Sequence, residues 1–177
     1  MFQAQTRQMT FDTFITFALM PENTARNFEF IDGEIIEKRP LSIRNLDIAT
    51  NLVAETRQYC EVMQLPCYIS TSDGPYRIGQ SIISPDFAYK ITPLISVQPD
   101  SPLWVAEVIS PTDSIIEVSK KRRKYIEANM LYWELYPDEQ LIDVYVPDKP
   151  LKSYGISDAI MVNVIFGLTL PVSKLFN

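Results

Sequence analysis

Leu103-Trp104-Val105-Ala106-Glu107-Val108-Ile109, closed by Ser110-Pro111-Thr112-Asp113, is the stretch on which the fold turns. It is apolar except for Glu107, as expected of a central strand covered on both faces. The segment after it, to about residue 130, is helical in propensity and carries Glu117 and Lys121 as an i,i+4 pair. Two further β-prone runs follow, residues 132–136 and 141–146, separated by a Pro137-Asp138-Glu139 turn. A strand, a crossover helix and a return strand predict at least one parallel pair with a right-handed connection, and so a mixed sheet in an α/β (α+β) fold.

Working outward, Thr10 is a candidate N-cap for a short helix that stops at Pro21. Asp32-Gly33 lies between two strand-prone runs, residues 28–31 and 34–38, the pattern of a tight hairpin. From Ser42 to Met63, Leu46, Ala49, Leu52, Val53, Thr56, Tyr59, Cys60 and Met63 recur at three- and four-residue steps, which predicts the longest helix, packed on the sheet. Residues 67–71, 76–78 and 86–90 read as successive strands of one sheet. The tail offers one more strand candidate at residues 161–166.

The chain has 177 residues, enough for one domain spanning residues 1–177. Hydrophobic residues make up 46% and charged residues 21%, a globular balance that excludes disorder. The apolar runs are too short to cross a membrane and the N-terminus lacks a signal-peptide pattern, so a cytoplasmic location without membrane contact is expected. Cys60 and Cys67 read as two reduced thiols, since no metal or redox spacing surrounds them. Histidine is absent, which removes histidine bases, triads and zinc-protease chemistry. The net charge of −6 argues against a protein that coats nucleic acid, though not against a local basic strip that meets phosphate.

Glu107 is the anomaly. On a period of two it shares a face with Leu103, Val105 and Ile109, where a carboxylate is costly unless paired or metal-bound. Ser84-Pro85-Asp86 introduces another β-prone segment. If the two strands are neighbours, Asp86 and Glu107 converge on one cation, and hard oxygen donors suit Mg²⁺ or Mn²⁺. The plainer alternative is a salt bridge for Glu107 and a turn cap for Asp86. The run Lys120-Lys121-Arg122-Arg123-Lys124 has the same two sides. A solvated helix face explains it, whereas its place directly after the Glu107 strand would let Lys121 or Lys124 reach a phosphate.

In order and spacing, Phe28 to Glu34, Ser84-Pro85-Asp86, Glu107 to Pro111, Lys121 with Tyr125, and Tyr132-Trp133 resemble the landmarks of the Uma-type restriction endonuclease family, within the PD-(D/E)XK nuclease superfamily. The resemblance spans residues 10–146. It implies a restriction-endonuclease-like αβββαβ core flanked by helices, Asp86 and Glu107 as the motif acids, and Mg²⁺ or Mn²⁺ as cofactor. The general motif would put its lysine at Ile109; in this family it comes from the next helix, at Lys121, with Glu117 four residues before it. Asn45 stands where relatives often have histidine. Glu34 is a further candidate metal ligand, equally ordinary as a surface strand residue.

Three functions fit this reading. One is a metal-dependent endonuclease acting on DNA. The second is a catalytically silent nuclease fold that binds nucleic acid or protein. The third is an interaction subunit, a homodimer whose face is lined by Tyr132, Trp133 and Tyr145.

Overall fold

The computed structural model describes residues 10–94 and 101–177, so the N-terminal stretch read for a signal lies largely outside the described residues. Helix α1 (Phe11–Ala18) starts where Thr10 Oγ1 accepts the Thr13 amide. Strands β1 (Phe28–Ile31) and β2 (Glu34–Glu37) form the hairpin, and Asp32 and Gly33 both take positive φ at its turn. Helix α2 (Ile43–Val62) is capped by Ser42. Then come β3 (Tyr68–Thr71), β4 (Tyr76–Ile78), β5 (Ser81–Ile83), β6 (Phe87–Lys90), β7 (Trp104–Val108) and helix α3 (Ile115–Glu127). The remaining elements are β8 (Leu131–Tyr136), β9 (Leu141–Tyr145), β10 (Lys152–Tyr154), β11 (Ala159–Met161), β12 (Thr169–Pro171) and α4 (Ser173–Phe176).

Among the described residues the main sheet has the order β10-β9-β8-β7-β6-β3. It is mixed, as expected: β7 and β8 run parallel across the α3 crossover, and β6 pairs antiparallel with β7. The succession α2, β3, β6, β7, α3, β8 is the expected αβββαβ core. A second sheet, β2-β1-β5-β4, lies on the α3 side, and β11 pairs with β12.

The two faces of β7 explain the layering. Trp104, Ala106 and Val108 join Ile48, Ala49, Leu52 and Cys60 of α2 in one core. Val105 faces the opposite way, into a second core with Tyr125 of α3, Tyr132, and Ile31, Tyr76 and Ile83 from the second sheet. Helix α1 covers the far side of that second sheet, with Phe14 stacked on Phe30 at 5.1 Å.

Four expectations need correction. Residues 76–78 do not extend the main sheet. Gly79, at positive φ, turns the chain into β5, and β5 pairs with β1. Ala49, Leu52, Thr56 and Cys60 of the predicted helix stripe are buried, with Asn45 and Ile48 beside them, but Leu46, at the stripe's edge, and Met63, the C-cap past the last helical residue, are exposed. Beyond Met161 the tail segment is turn rather than strand, and Val162 and Ile165 are buried by that turn. Finally, Tyr132 and Trp133 are fully buried inside the sheet core, so they cannot line a dimer face. Cys60 and Cys67 are unpaired thiols, as expected.

A buried ion pair ties α3 to β8. Glu134 on β8 has no exposed surface, and Arg122 donates to both its oxygens, from Nε at 2.8 Å and Nη2 at 2.7 Å. The hydroxyls of Tyr132, Tyr136 and Tyr145 complete its shell. Removing one partner of a buried pair strands the other charge. Arg122→Ala is therefore expected to cost about 3 kcal/mol in urea unfolding; a loss under about 1 kcal/mol would mean the three tyrosines suffice to hold the carboxylate.

Candidate active site

Continuing the β6–β7 register one residue beyond Phe87↔Ala106 sets Asp86 opposite Glu107. Asp86 lies just before β6, where its carboxylate caps the neighbouring strand: Oδ2 accepts the Val108 amide at 2.9 Å. Its other oxygen, Oδ1, accepts Ser72 Oγ at 3.2 Å and Lys38 Nζ at 2.9 Å. Lys38 Nζ also donates to the Ser84 carbonyl.

Glu107 Oε1 accepts the Tyr125 hydroxyl at 2.6 Å and Lys121 Nζ at 3.3 Å. Both donors come from α3, one turn apart, so one helix face serves one carboxylate. Lys121 Nζ is also 2.8 Å from Glu29 Oε2 on β1, and Glu29 Oε1 accepts the Ser84 amide at 3.0 Å. Three carboxylates and two ammoniums thus form one buried cluster, drawn from both sheets and α3.

The cluster floors a cleft of about 290 Å³ between the N-terminal ends of α2 and α3. Asn45 lines it and donates to the Val108 carbonyl at 3.3 Å. Arg39 stands at its edge, donating to the Thr112 carbonyl at 3.1 Å, and is in no ion pair among the described residues.

Burial pushes the Glu107 carboxyl up to about 7, against the opposing pull of Lys121. For Lys121 burial works towards the neutral form, but Glu107 and Glu29 outweigh it and hold the ammonium above its ordinary value. Burial, and then the Glu107 charge, raise the Tyr125 phenol well above its normal range, so it remains a donor.

Of the residues singled out by sequence, Asp86, Glu107 and Lys121 meet, and Glu117 lines the same cleft. Glu34 does not join them. It lies on β2, an edge strand, with its side chain 62% exposed and paired to Lys120 at 2.6 Å. Lys124 is also elsewhere: three residues past Lys121 it is rotated toward the hairpin turn, where it pairs with Asp32. Sequence reasoning missed Glu29, Lys38 and Tyr125 as site residues. Glu29 carried a signal, since an acid between Phe28 and Phe30 is the same anomaly as Glu107 in its strand. Lys38, at a strand end before Arg39-Pro40, carried none.

The donor set fits a hard divalent ion in part. Among the described residues no group of three or more acids or thiols is arranged to hold a metal. Of the acids lining the cleft, Asp86 and Glu107 stand opposite each other, while both oxygens of Glu29 are engaged by Lys121 and the Ser84 amide. Glu107 Oε2 accepts no hydrogen bond among the described residues; Asp86 Oδ2 is taken up by the Val108 amide and Oδ1 is shared by Ser72 and Lys38, so a cation joining Asp86 through Oδ1 would stand where the lysine now does.

The Glu107 shift has a sign that stability can test. The folded carboxyl holds its proton up to about 7, against an ordinary 4.5, so its contribution is full below 4.5 and is lost as pH rises through 7. Without metal, the wild type should lose stability relative to Glu107→Gln between those pH values. Parallel stability–pH curves in denaturant titrations would refute it.

Comparison with known proteins agrees with this architecture. A crystal structure of a putative nuclease belonging to DUF820 from Anabaena variabilis ATCC 29413 superposes with a TM-score of 0.81 at 22% identity, covering 95% of this chain and 97% of that one. At that identity the likeness speaks to the fold. No curated protein compared with the chain matches it. The family model Uma2, described as "Putative restriction endonuclease", matches residues 14–173, nearly the whole length, and the chain belongs to that family.

Proposed function

We propose that this protein is a metal-dependent nuclease that hydrolyses DNA phosphodiester bonds, with Asp86 and Glu107 as metal ligands and Lys121 as the catalytic cation. The observation that carries the reading is the convergence of these three side chains at the floor of one cleft, from the residue before β6, from β7 and from α3. Mg²⁺ or Mn²⁺ bound there would lower the pKa of a water and neutralise charge on the scissile phosphate.

The protein's own groups do the positioning. The Val108 amide and Ser72 hydroxyl fix Asp86, and Tyr125 fixes Glu107 Oε1, leaving Oε2 toward further ligands. The Lys121 ammonium, held charged by Glu107 and Glu29, stabilises negative charge as it develops on the phosphate. Arg39 at the cleft edge offers a guanidinium for a flanking phosphate. Glu117, in the same cleft, shapes the approach to Lys121.

A silent nuclease fold is the second reading, and one observation favours it: the five charged groups satisfy one another as an ion-pair cluster. Two measurements separate them. Calorimetry should show Mn²⁺ binding to the wild type that is lost in Asp86→Ala and weakens as pH falls below about 7, because the ion must displace the Glu107 proton. Single-turnover cleavage of mixed DNA in Mn²⁺ should fall about 100-fold or more in Lys121→Met and stay near wild type in Lys124→Met. Equal rates for wild type and Lys121→Met would remove the lysine assignment, and a wild type that neither binds Mn²⁺ nor cuts would favour the silent fold.

A further inference from the structure

Lys38 lies at the end of β2, and its ammonium, on a side chain only 10% exposed, bonds to Asp86 Oδ1 and the Ser84 carbonyl. It thus makes with Asp86 the contacts that a bound cation would make, one carboxylate oxygen and one backbone oxygen. We propose that Lys38 is a resident counter-ion of the site, which a divalent metal ion must displace from Asp86, so that this residue sets the metal affinity. The inference rests on Asp86 and Glu107 being metal ligands, as proposed above.

Charge supports an exchange. Fully ionised, Glu29, Asp86 and Glu107 against Lys38 and Lys121 leave one net negative charge in the cluster. Adding a divalent ion to all five would leave one net positive charge in a buried site, which is costly. With Lys38 withdrawn, the same ion makes the cluster neutral.

The geometry gives Lys38 a way out. Lys121 is held between two carboxylates, Glu29 and Glu107, whereas Lys38 is tied to Asp86 alone among them. Lys38 follows an edge strand and lines the open cleft, so its four-carbon stem can carry the ammonium toward solvent without moving the sheet. Asp86 stays oriented meanwhile by the Val108 amide and Ser72.

The experiment is calorimetric titration of Mn²⁺ into the full chain as wild type, Lys38→Met, Lys38→Gln and Lys38→Arg, with thermal unfolding at each metal concentration. Removing a positive charge a few ångströms from the ion should tighten Mn²⁺ binding about tenfold or more in Lys38→Met and Lys38→Gln. Lys38→Arg, which keeps the charge, should stay within about threefold of wild type. Without metal, the neutral variants should melt lower, since Asp86 loses its counter-ion, and Mn²⁺ should raise their melting temperature more than it raises the wild type's. The glutamine variant keeps a donor for Asp86 and serves if the methionine variant fails to fold. Neutral variants that bind Mn²⁺ no more tightly than wild type overturn the counter-ion role, leaving the metal site intact if the wild type itself binds. If no variant binds Mn²⁺, the metal site and the counter-ion role fall together.

Discussion

Charge burial governs this molecule. Glu29, Asp86, Glu107 and Glu134 are all nearly inaccessible, in a sheet region where an unpaired carboxylate would be costly enough to oppose folding. Helix α3 supplies much of the compensation. Lys121 reaches Glu107 and Glu29, and its neighbour Arg122 reaches Glu134. The two acids face each other in the parallel β7–β8 register, Glu107↔Glu134, so adjacent helix residues meet adjacent strands. The crossover helix therefore has one rotation and one axial position that satisfy both pairs.

The ion pairs of α3 change the meaning of the basic run. Read in one dimension, five consecutive cations look like a solvated face or a phosphate strip. In the structure each is committed: Lys120 to Glu34, Lys121 to the cluster, Arg122 to Glu134, and Arg123 and Lys124 to Asp32. The run fastens α3 to both sheets, and it leaves Arg39 as a cleft-lining cation outside any ion pair among the described residues. With the run so committed, the helix presents no broad positive field of the kind that coats nucleic acid.

What could be read from sequence follows the same physics. The β7–α3–β8 unit was legible because burial on both faces leaves an apolar run, and the helix after it has its own periodicity. The hairpin was legible because Asp32 and Gly33 sit at positive φ, which few residue pairs accept. Glu107 was legible as an acid out of place in an apolar strand, and Asp86 through its place after Ser84-Pro85 in the order of landmarks. The partnership of β4 and β5 was not: nothing local marks these short strands as belonging to a second sheet, in which β4 pairs with β5 and β5 with β1. Lys38 was illegible because its partner, Asp86, is 48 residues away, and nothing local marks a lysine as buried.

That Lys121 is carried on a helix and not on the Glu107 strand has a structural consequence. At Ile109, two residues past Glu107, a lysine would take its position from β7 alone. The Ile109 amide bonds the Leu135 carbonyl, a main-chain contact that extends the parallel pair to the edge of the cleft. Lys121 takes its position from α3, which Arg122 and Glu134 tie to β8. The geometry of the candidate catalytic cation is thus tied to an ion pair on the next strand, outside the cleft. Lys121 and Tyr125 are carried on the same helix, so any shift of α3 moves both donors to Glu107 Oε1 together.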